Sequence, residues 1–470
     1  VVAIALLALC ITADVQAGSK RVDDIQITNA IEREMWGDDA VASHLVDVTT
    51  QDGVVTFTGS VDNVLAKERA VAIAENTVGV RAIVNRIQVN PTPRSDEDVR
   101  KAVAKALLHD PAADSYELDV AVSDGIVTLT GTVDSWQERQ LAALVAKGVR
   151  GVRGLRNDVS VDYKPDRLDR EIKAEVEARL ANDVRVDDAL LTVQVEDGKV
   201  ALEGTVGSLA EKNRARADAR VAGVHSVDVT GVDIEWWARD TMRRKSVYTS
   251  RNDDEVEEAI KDAFLYDPRV VSFQPEVEVR KGTVTLTGTV DNLLAKRAAE
   301  QDAQNTIGVW RVENHLRVRP QKRISDRELE RRIRDAFAED PYLDRYEVNV
   351  SAFSGRVYLT GNVSTSFEKE RAGFVAEGVP GVVDIENTID FEYVWRWKSD
   401  WTIKQDIESE LYWSPYVDSE DITISVEGGI VTLTGKVDTW YERQAAVENA
   451  FEGGAKDVLD KLVFSHGPES

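Results

Sequence analysis

One nine-residue string is written six times along this chain, and that repetition constrains its fold more than any other feature. VTFTGSVDN returns as VTLTGTVDS, VALEGTVGS, VTLTGTVDN, VYLTGNVST and VTLTGKVDT. The shared glycine falls at Gly59, Gly131, Gly204, Gly288, Gly361 and Gly435, with successive spacings of 72, 73, 84, 73 and 74 residues. A second glycine precedes each by six residues, at Gly53, Gly125, Gly198, Gly282, Gly355 and Gly429. A third follows in most copies, at Gly79, Gly151, Gly223, Gly308 and Gly381. Four copies carry Asn six residues after that glycine (Asn85, Asn157, Asn314, Asn387), whereas the third copy has Val229 there and the sixth has Gly454 followed by Asp460.

A larger repeat overlies the small one. VDNVLAKERAVAIAENTVGV in the first copy matches VDNLLAKRAAEQDAQNTIGV in the fourth, and the glycines of the two halves are offset by 229, 230 and 231 residues. A block of three units has therefore been duplicated, and the long spacing between halves predicts a linker at 236–252. The expected units are 22–90, 95–163, 166–235, 253–319, 325–393 and 399–465, with prolines at Pro91, Pro93, Pro165 and Pro320 stiffening the joints.

Within a unit the hydrophobic period changes twice. Val99, Val103 and Leu107 stand four apart, as do Leu168, Ile172, Val176 and Leu180, and Ile403, Ile407 and Leu411, which predicts an amphipathic leading helix. Leu118, Val120 and Val122 then alternate with polar residues, Asp124-Gly125 follows, and Val127 and Leu129 alternate again, which predicts a tight β-hairpin. Asn63, Ser135, Ser208, Asn292, Thr365 and Thr439 share one register and suit the N-cap of a second helix. Glu138, Glu211, Glu368 and Glu442 lie three residues on, so four units are expected to carry a reciprocal capping box. A closing strand such as Ile87–Val89 completes the order αββαβ. The fold class is α+β: six tandem units, each a three-stranded mixed sheet with two helices on its one dry face.

The G-x-V-T-L-T-G-x-V hairpin, the capped helix and the G-V-x-x-V-x-N-x-L ending resemble the BON domain, named for bacterial osmotically inducible and nodulation proteins. The resemblance runs from about Val22 to Phe464. It implies a periplasmic, non-enzymatic protein of osmotic or envelope stress that binds phospholipid. The third and sixth units depart from the pattern at the terminal Asn, which leaves their closing strands less defined.

Composition narrows the chemistry. Lys and Arg number 58 against 84 Asp and Glu, a formal net charge of −26, which repels nucleic acid and anionic lipid on average. Cys10 is the one cysteine, and the five histidines fall in no HxH or HExxH spacing, so neither an intrachain disulfide nor a zinc site of the usual spacings is available. GxSxG and P-loop motifs are absent too, and no enzyme activity and no cofactor are expected. The uncharged run VVAIALLALCITA is too short for a relaxed span of ~20 residues. With Val15-Gln16-Ala17 behind it, the run predicts a signal peptide over 1–17. Lipidation at Cys10, with Leu9 bulky where a small residue is wanted, and an ordinary buried helix are the alternatives.

Repeated Asp62, Asp134, Asp291 and Asp438 adjoin the predicted N-caps, where a carboxylate favours the helix dipole. Less ordinary is the linker, where Trp236 and Trp237 precede Arg243, Arg244 and Lys245; residues 239–251 hold five basic residues against one acidic. Residues 311–334 hold nine against four, and Trp395, Trp397 and Trp401 follow the fifth unit. Tryptophan with arginine suits a lipid headgroup interface, so Trp236, Trp237, Arg243, Arg244 and Lys245 are the candidate lipid contacts. The alternative is that these tryptophans pack between units while the arginines neutralise acidic neighbours. The expected partner is a phospholipid surface or an envelope protein; the competing function is a protein-interaction scaffold that uses acidic faces and open sheet edges.

Overall fold

A computed structural model describes residues 22–41, 43–110, 112, 118–163, 167–241, 251–320, 324–391 and 398–465. The expected signal segment, with Cys10, lies outside the described residues. Unit 2 shows the plan. Its leading helix, Asp96–His109, buries Val99, Ala102, Val103 and Leu107. Strands Leu118–Ser123 and Ile126–Val133 pair antiparallel from Leu118↔Gly131 to Ser123↔Ile126. The second helix, Trp136–Lys147, leads to a closing strand, Gly154–Val161, that pairs parallel with the central strand from Ile126↔Gly154 to Val133↔Val161. The sheet is therefore mixed, with the second hairpin strand in the middle, and the same order recurs in all six units.

Each half of the pattern explains its burial. The leading helix offers large residues to the dry face; each fully buried Val, Leu or Ile stabilises by roughly 1.5–3 kcal/mol. The second helix offers alanines instead: Ala66, Ala70 and Ala74 in unit 1, Ala142 and Ala146 in unit 2, Ala446 and Ala450 in unit 6. Small side chains let this helix lie close over the sheet at native packing density. Units 1 and 2 share one continuous core, from Ile27 and Phe57 through Val127 and Val159.

The two glycines of the hairpin have separate causes. In the turn, Asp124 has φ 53° and Gly125 has φ 75°, both left-handed, as a two-residue turn matched to sheet twist requires. At the strand end, Gly59 has φ 104°, and a Cβ there would stand 2.1 Å from the Leu45 carbonyl oxygen. Any side chain would push apart the segment entering the first strand.

Two expectations need revision. Units 3 and 6 form full closing strands, Ser226–Ile234 and Asp457–Phe464, although they lack the terminal Asn. In units 1, 2, 4 and 5 that Asn accepts the N–H two residues on, as Asn85 does from Ile87 (3.0 Å). Asp228 and Asp460 accept the equivalent bonds from Thr230 (2.8 Å) and Leu462 (3.0 Å), so an Asx acceptor is present in every unit. Second, the reciprocal capping box closes at Ser135/Glu138 and Thr365/Glu368 but not in units 3 and 6, for the reason given below. The linker between the halves opens with a short helix, Trp236–Thr241.

The six units do not hang as separate beads. Units 1, 2 and 3 each touch the other two: Lys147 pairs with Glu68, Arg81 with Glu235 (2.8 Å), and the Trp136 indole donates to the Val224 carbonyl (2.9 Å). The halves then meet in three pairs. Val78 N–H of unit 1 donates to the Trp413 carbonyl of unit 6 (3.3 Å), and Arg150 N–H of unit 2 to the Glu339 carbonyl of unit 5 (2.7 Å). Ile307 N–H of unit 4 donates to the Asn182 carbonyl of unit 3 (2.9 Å). Each time, the turn after one unit's second helix meets the end of another's leading helix.

Candidate functional site

The acidic residues that crowd this sequence have local work, and that work separates structural carboxylates from any available for chemistry. The first helical residue of every leading helix is Asp. In unit 1, Asp24 accepts the N–H groups of Asp52 (2.8 Å) and Gly53 (2.9 Å), the two residues of the hairpin turn. Asp96, Asp169, Asp253, Asp326 and Asp400 repeat the clasp on their own turns. Two successive left-handed residues aim both N–H groups one way, a nest for an anion, and the carboxylate fills it. The sequence reading missed these six residues, although each stands 29 positions before its turn glycine.

The second helix gathers another set. Asp62 and Asp291 accept from the neighbouring cap amides of Asn63 (2.8 Å) and Asn292 (2.6 Å), which fits a capping role. In units 3 and 6 the glutamate at the third position bypasses the cap backbone. Glu211 accepts from Gly207 N–H (2.7 Å) and Asp187 N–H (2.9 Å); Glu442 accepts from Asp438 and Asp418 (both 2.7 Å). These carboxylates tie the helix start to the loop entering the hairpin. Burial pushes Glu211 up to about 7, with the two backbone donors offsetting part of the shift.

The seams between halves hold the remaining buried charge. Between units 2 and 5 the cations come from one side and the carboxylates from the other: Arg94 with Glu339 (2.6 Å), Lys105 with Asp335 (2.9 Å), Arg150 with Asp344 (2.8 Å). At the seam of units 3 and 4, Asp183 and Asp218 lie buried among Arg179, Arg185 and Arg214. Burial pushes Asp183 up, but Arg214 and Arg185 outweigh it and hold the carboxyl below its ordinary range. Burial, only partly offset by Arg214, takes Asp218 up to about 6. A cleft of about 580 Å³ opens beside them, yet its cations are engaged: Arg179 stacks on Tyr266 at 4.4 Å and Arg220 on Trp136 at 4.9 Å. The seam of units 1 and 6 is acid-rich, with Glu34, Asp38, Glu410, Glu448 and Glu452 around Arg69.

Of the candidate lipid contacts, the structure places two. Trp236 is half-buried and Trp237 is 45% exposed, both on the short helix after unit 3. Their immediate surroundings are mixed, with Asp23, Asp24, Arg81 and Glu235 lining the same cleft as Trp236. Arg243, Arg244 and Lys245 lie outside the described residues, as do Trp395 and Trp397. Trp401 is 69% exposed. The second basic stretch is partly self-neutralised, with Arg331 and Arg332 on Glu328, Arg334 on Glu330 and Arg311 on Glu313. Outside the candidate segments, Trp136 of unit 2 packs against unit 3, its indole donating to the Val224 carbonyl. Among the described residues no group of three or more His, Cys, Asp or Glu is arranged to hold a metal ion, and no helix is long and apolar enough to cross a membrane.

Known proteins resemble this chain unit by unit. A family model described as BON domain matches residues 23–91, 95–163, 168–235, 252–320, 325–393 and 399–465. The osmotically-inducible protein Y of Escherichia coli (strain K12) is 30% identical over 145 residues, spanning 29% of this chain and 72% of that protein. The outer membrane lipoprotein DolP of Haemophilus influenzae is 30% identical over 142 residues, with the same coverage of 29% and 72%. Among solved structures, CdsD, a structural protein of the type III secretion system of Chlamydia trachomatis, overlaps 46% of this chain and 98% of its own at 18% identity and a TM-score of 0.13.

Proposed function

This chain belongs to the BON-domain family, six times over, and from that premise we propose that it works without catalysis at the cell envelope, gripping phospholipid surfaces under osmotic or envelope stress. The observation that carries the reading is the aromatic and basic segment after unit 3. In a chain of net charge −26, contact with anionic lipid must pass through a local reversal of sign, and residues 239–251 supply one. Trp237 is exposed at its start, and an indole suits the headgroup level. Each basic residue near an anionic surface adds about 1 kcal/mol. The names of the two relatives, one osmotically inducible and one an outer membrane lipoprotein, support the envelope assignment. A periplasmic home, reached by cleavage after Ala17, is part of the same proposal.

Co-sedimentation of the full chain with vesicles tests it. Anionic vesicles should pull the protein down at low salt and release it as salt screens the contact, while neutral vesicles should not. Substituting Arg243→Glu, Arg244→Glu and Lys245→Glu together should abolish binding and leave the melting temperature unchanged. No wild-type binding at low salt would favour the scaffold reading, in which acidic faces dock basic proteins. Equal binding by the triple variant would move the contact elsewhere.

A further inference from the structure

The three seams between halves use one backbone contact, so side chains at matched positions can be compared directly. Counting back 25 residues from each repeated glycine gives Glu34, Ala106, Arg179, Ala263, Ala336 and Glu410. The seam of units 2 and 5 thus sets alanine opposite alanine, and that of units 3 and 4 sets Arg179 against Ala263. The seam of units 1 and 6 alone carries glutamate on both sides.

We propose that the seam between units 1 and 6 is a proton-operated clasp, closed when Glu34 and Glu410 are protonated and loosened when they ionise. Both residues are half-buried, and no cation among the described residues stands within ion-pair distance of either. The charged neighbours do not neutralise them. From the leading helix of unit 1, Asp24–Gly37, Arg33 donates to the Ser409 hydroxyl, and Asp38 follows the helix end. From the second helix of unit 1, Val64–Glu75, Arg69 is committed to Asp38 and reaches Glu452 only at 3.6 Å. From the leading helix of unit 6, Asp400–Trp413, Asp406 is paired with Lys398 (2.7 Å). The second helix of unit 6, Trp440–Glu452, adds Glu448 and Glu452 at the rim, and Glu370 of unit 5 adds a further negative charge beside Glu448. Burial first, then Glu452 and Glu410, pushes Glu34 well above the ordinary carboxylate range. Burial and Glu452 take Glu410 up to about 7.

A carboxyl whose folded value is raised contributes stability below its unfolded value of ~4.3, and that contribution is lost as pH climbs through the folded one. The clasp is therefore tight near pH 5 and strained above about 7. Opening would part Val78 from Trp413 and uncover the Trp413 ring, which packs against the core of units 1 and 2.

Hydrogen–deuterium exchange on the full chain tests the clasp, with intrinsic chemical rates divided out. Between pH 5.5 and pH 8, protection of the helix ends at 33–37 and 409–413 should fall about tenfold relative to the matched ends at 105–109 and 335–339. The double variant Glu34→Gln, Glu410→Gln should abolish that relative fall, and Glu410→Gln alone should reduce it. Equal pH dependence at both seams would overturn the proposal, and so would a double or single variant that keeps the wild-type step.

Discussion

At the seam of units 3 and 4, Asp183 and Asp218 are almost wholly enclosed, with side chains 6% and 2% exposed, and Arg214 bonds to both. At the seam of units 1 and 6, Glu34 and Glu410 are only half enclosed and have no guanidinium of their own. Backbone geometry at the two seams is alike; the ownership of arginine is not. Counting ten residues on from each repeated glycine gives Arg69, Leu141, Arg214, Ala298, Arg371 and Ala445, so each seam receives one such arginine. That single cation serves Asp183 and Asp218 between units 3 and 4, but between units 1 and 6 it is spent on Asp38. One repeated architecture thus yields an arginine-rich joint and an arginine-poor one, because Arg179 and Arg185 join the shared cation between units 3 and 4 while Glu34 and Glu410 gain no ion-pair partner among the described residues.

The comparison can be broken most forcefully at the arginine-rich joint. Arg214→Met should cost about 3–5 kcal/mol, because Asp183 and Asp218 would lose their shared partner inside the protein. Chemical denaturation at pH 7 reads this; a loss under 1 kcal/mol would mean that Arg179 and Arg185 suffice. A change remote from every seam calibrates the scale. Asp96→Ala leaves two hairpin N–H groups without their carboxylate and should cost about 1.5–3 kcal/mol. That cost should be the same at pH 5.5 and pH 8 by thermal melting, unlike any change at the clasp. The smallest effect has the opposite sign. Glu410→Gln should stabilise the chain at pH 8 by about 1 kcal/mol or less, after discounting for partial exposure, and have little effect at pH 4, where the wild-type carboxyl is mostly protonated in the folded and unfolded states alike. A stabilisation equal at both pH values would remove protonation as its cause.

Repetition made the unit fold readable. Asp124-Gly125 between alternating runs fixes the hairpin, Ser135 fixes the start of a helix, and six copies of each reinforce the inference. The aspartate clasp on each turn was visible in principle, at a constant spacing of 29, but helix-starting aspartates read as capping and dipole residues until the turn beside them is seen. The missing Asn of units 3 and 6 misled because Asp228 and Asp460 make the same bond with a different side chain. Glu34 and Glu410 read as ordinary surface charge on amphipathic helices. Their meaning depends on which unit faces which, and intra-unit periodicity carries no information about that.

The pairing of halves is nested: 3 with 4, 2 with 5, 1 with 6. Units 3 and 4 adjoin in the chain, so their seam closes the shortest loop, and the seam of units 1 and 6 closes the longest. Each doubling of loop length adds about 0.6 kcal/mol of closure entropy. Units 1, 2 and 3 also touch one another, so the pairing stacks one triplet on the other rather than laying out an open ladder. The seam of units 1 and 6 joins the partners furthest apart along the chain and is also the one with uncompensated carboxylates. Loosening it by ionisation would leave unit 1 held by units 2 and 3, and the two triplets joined by the other two seams.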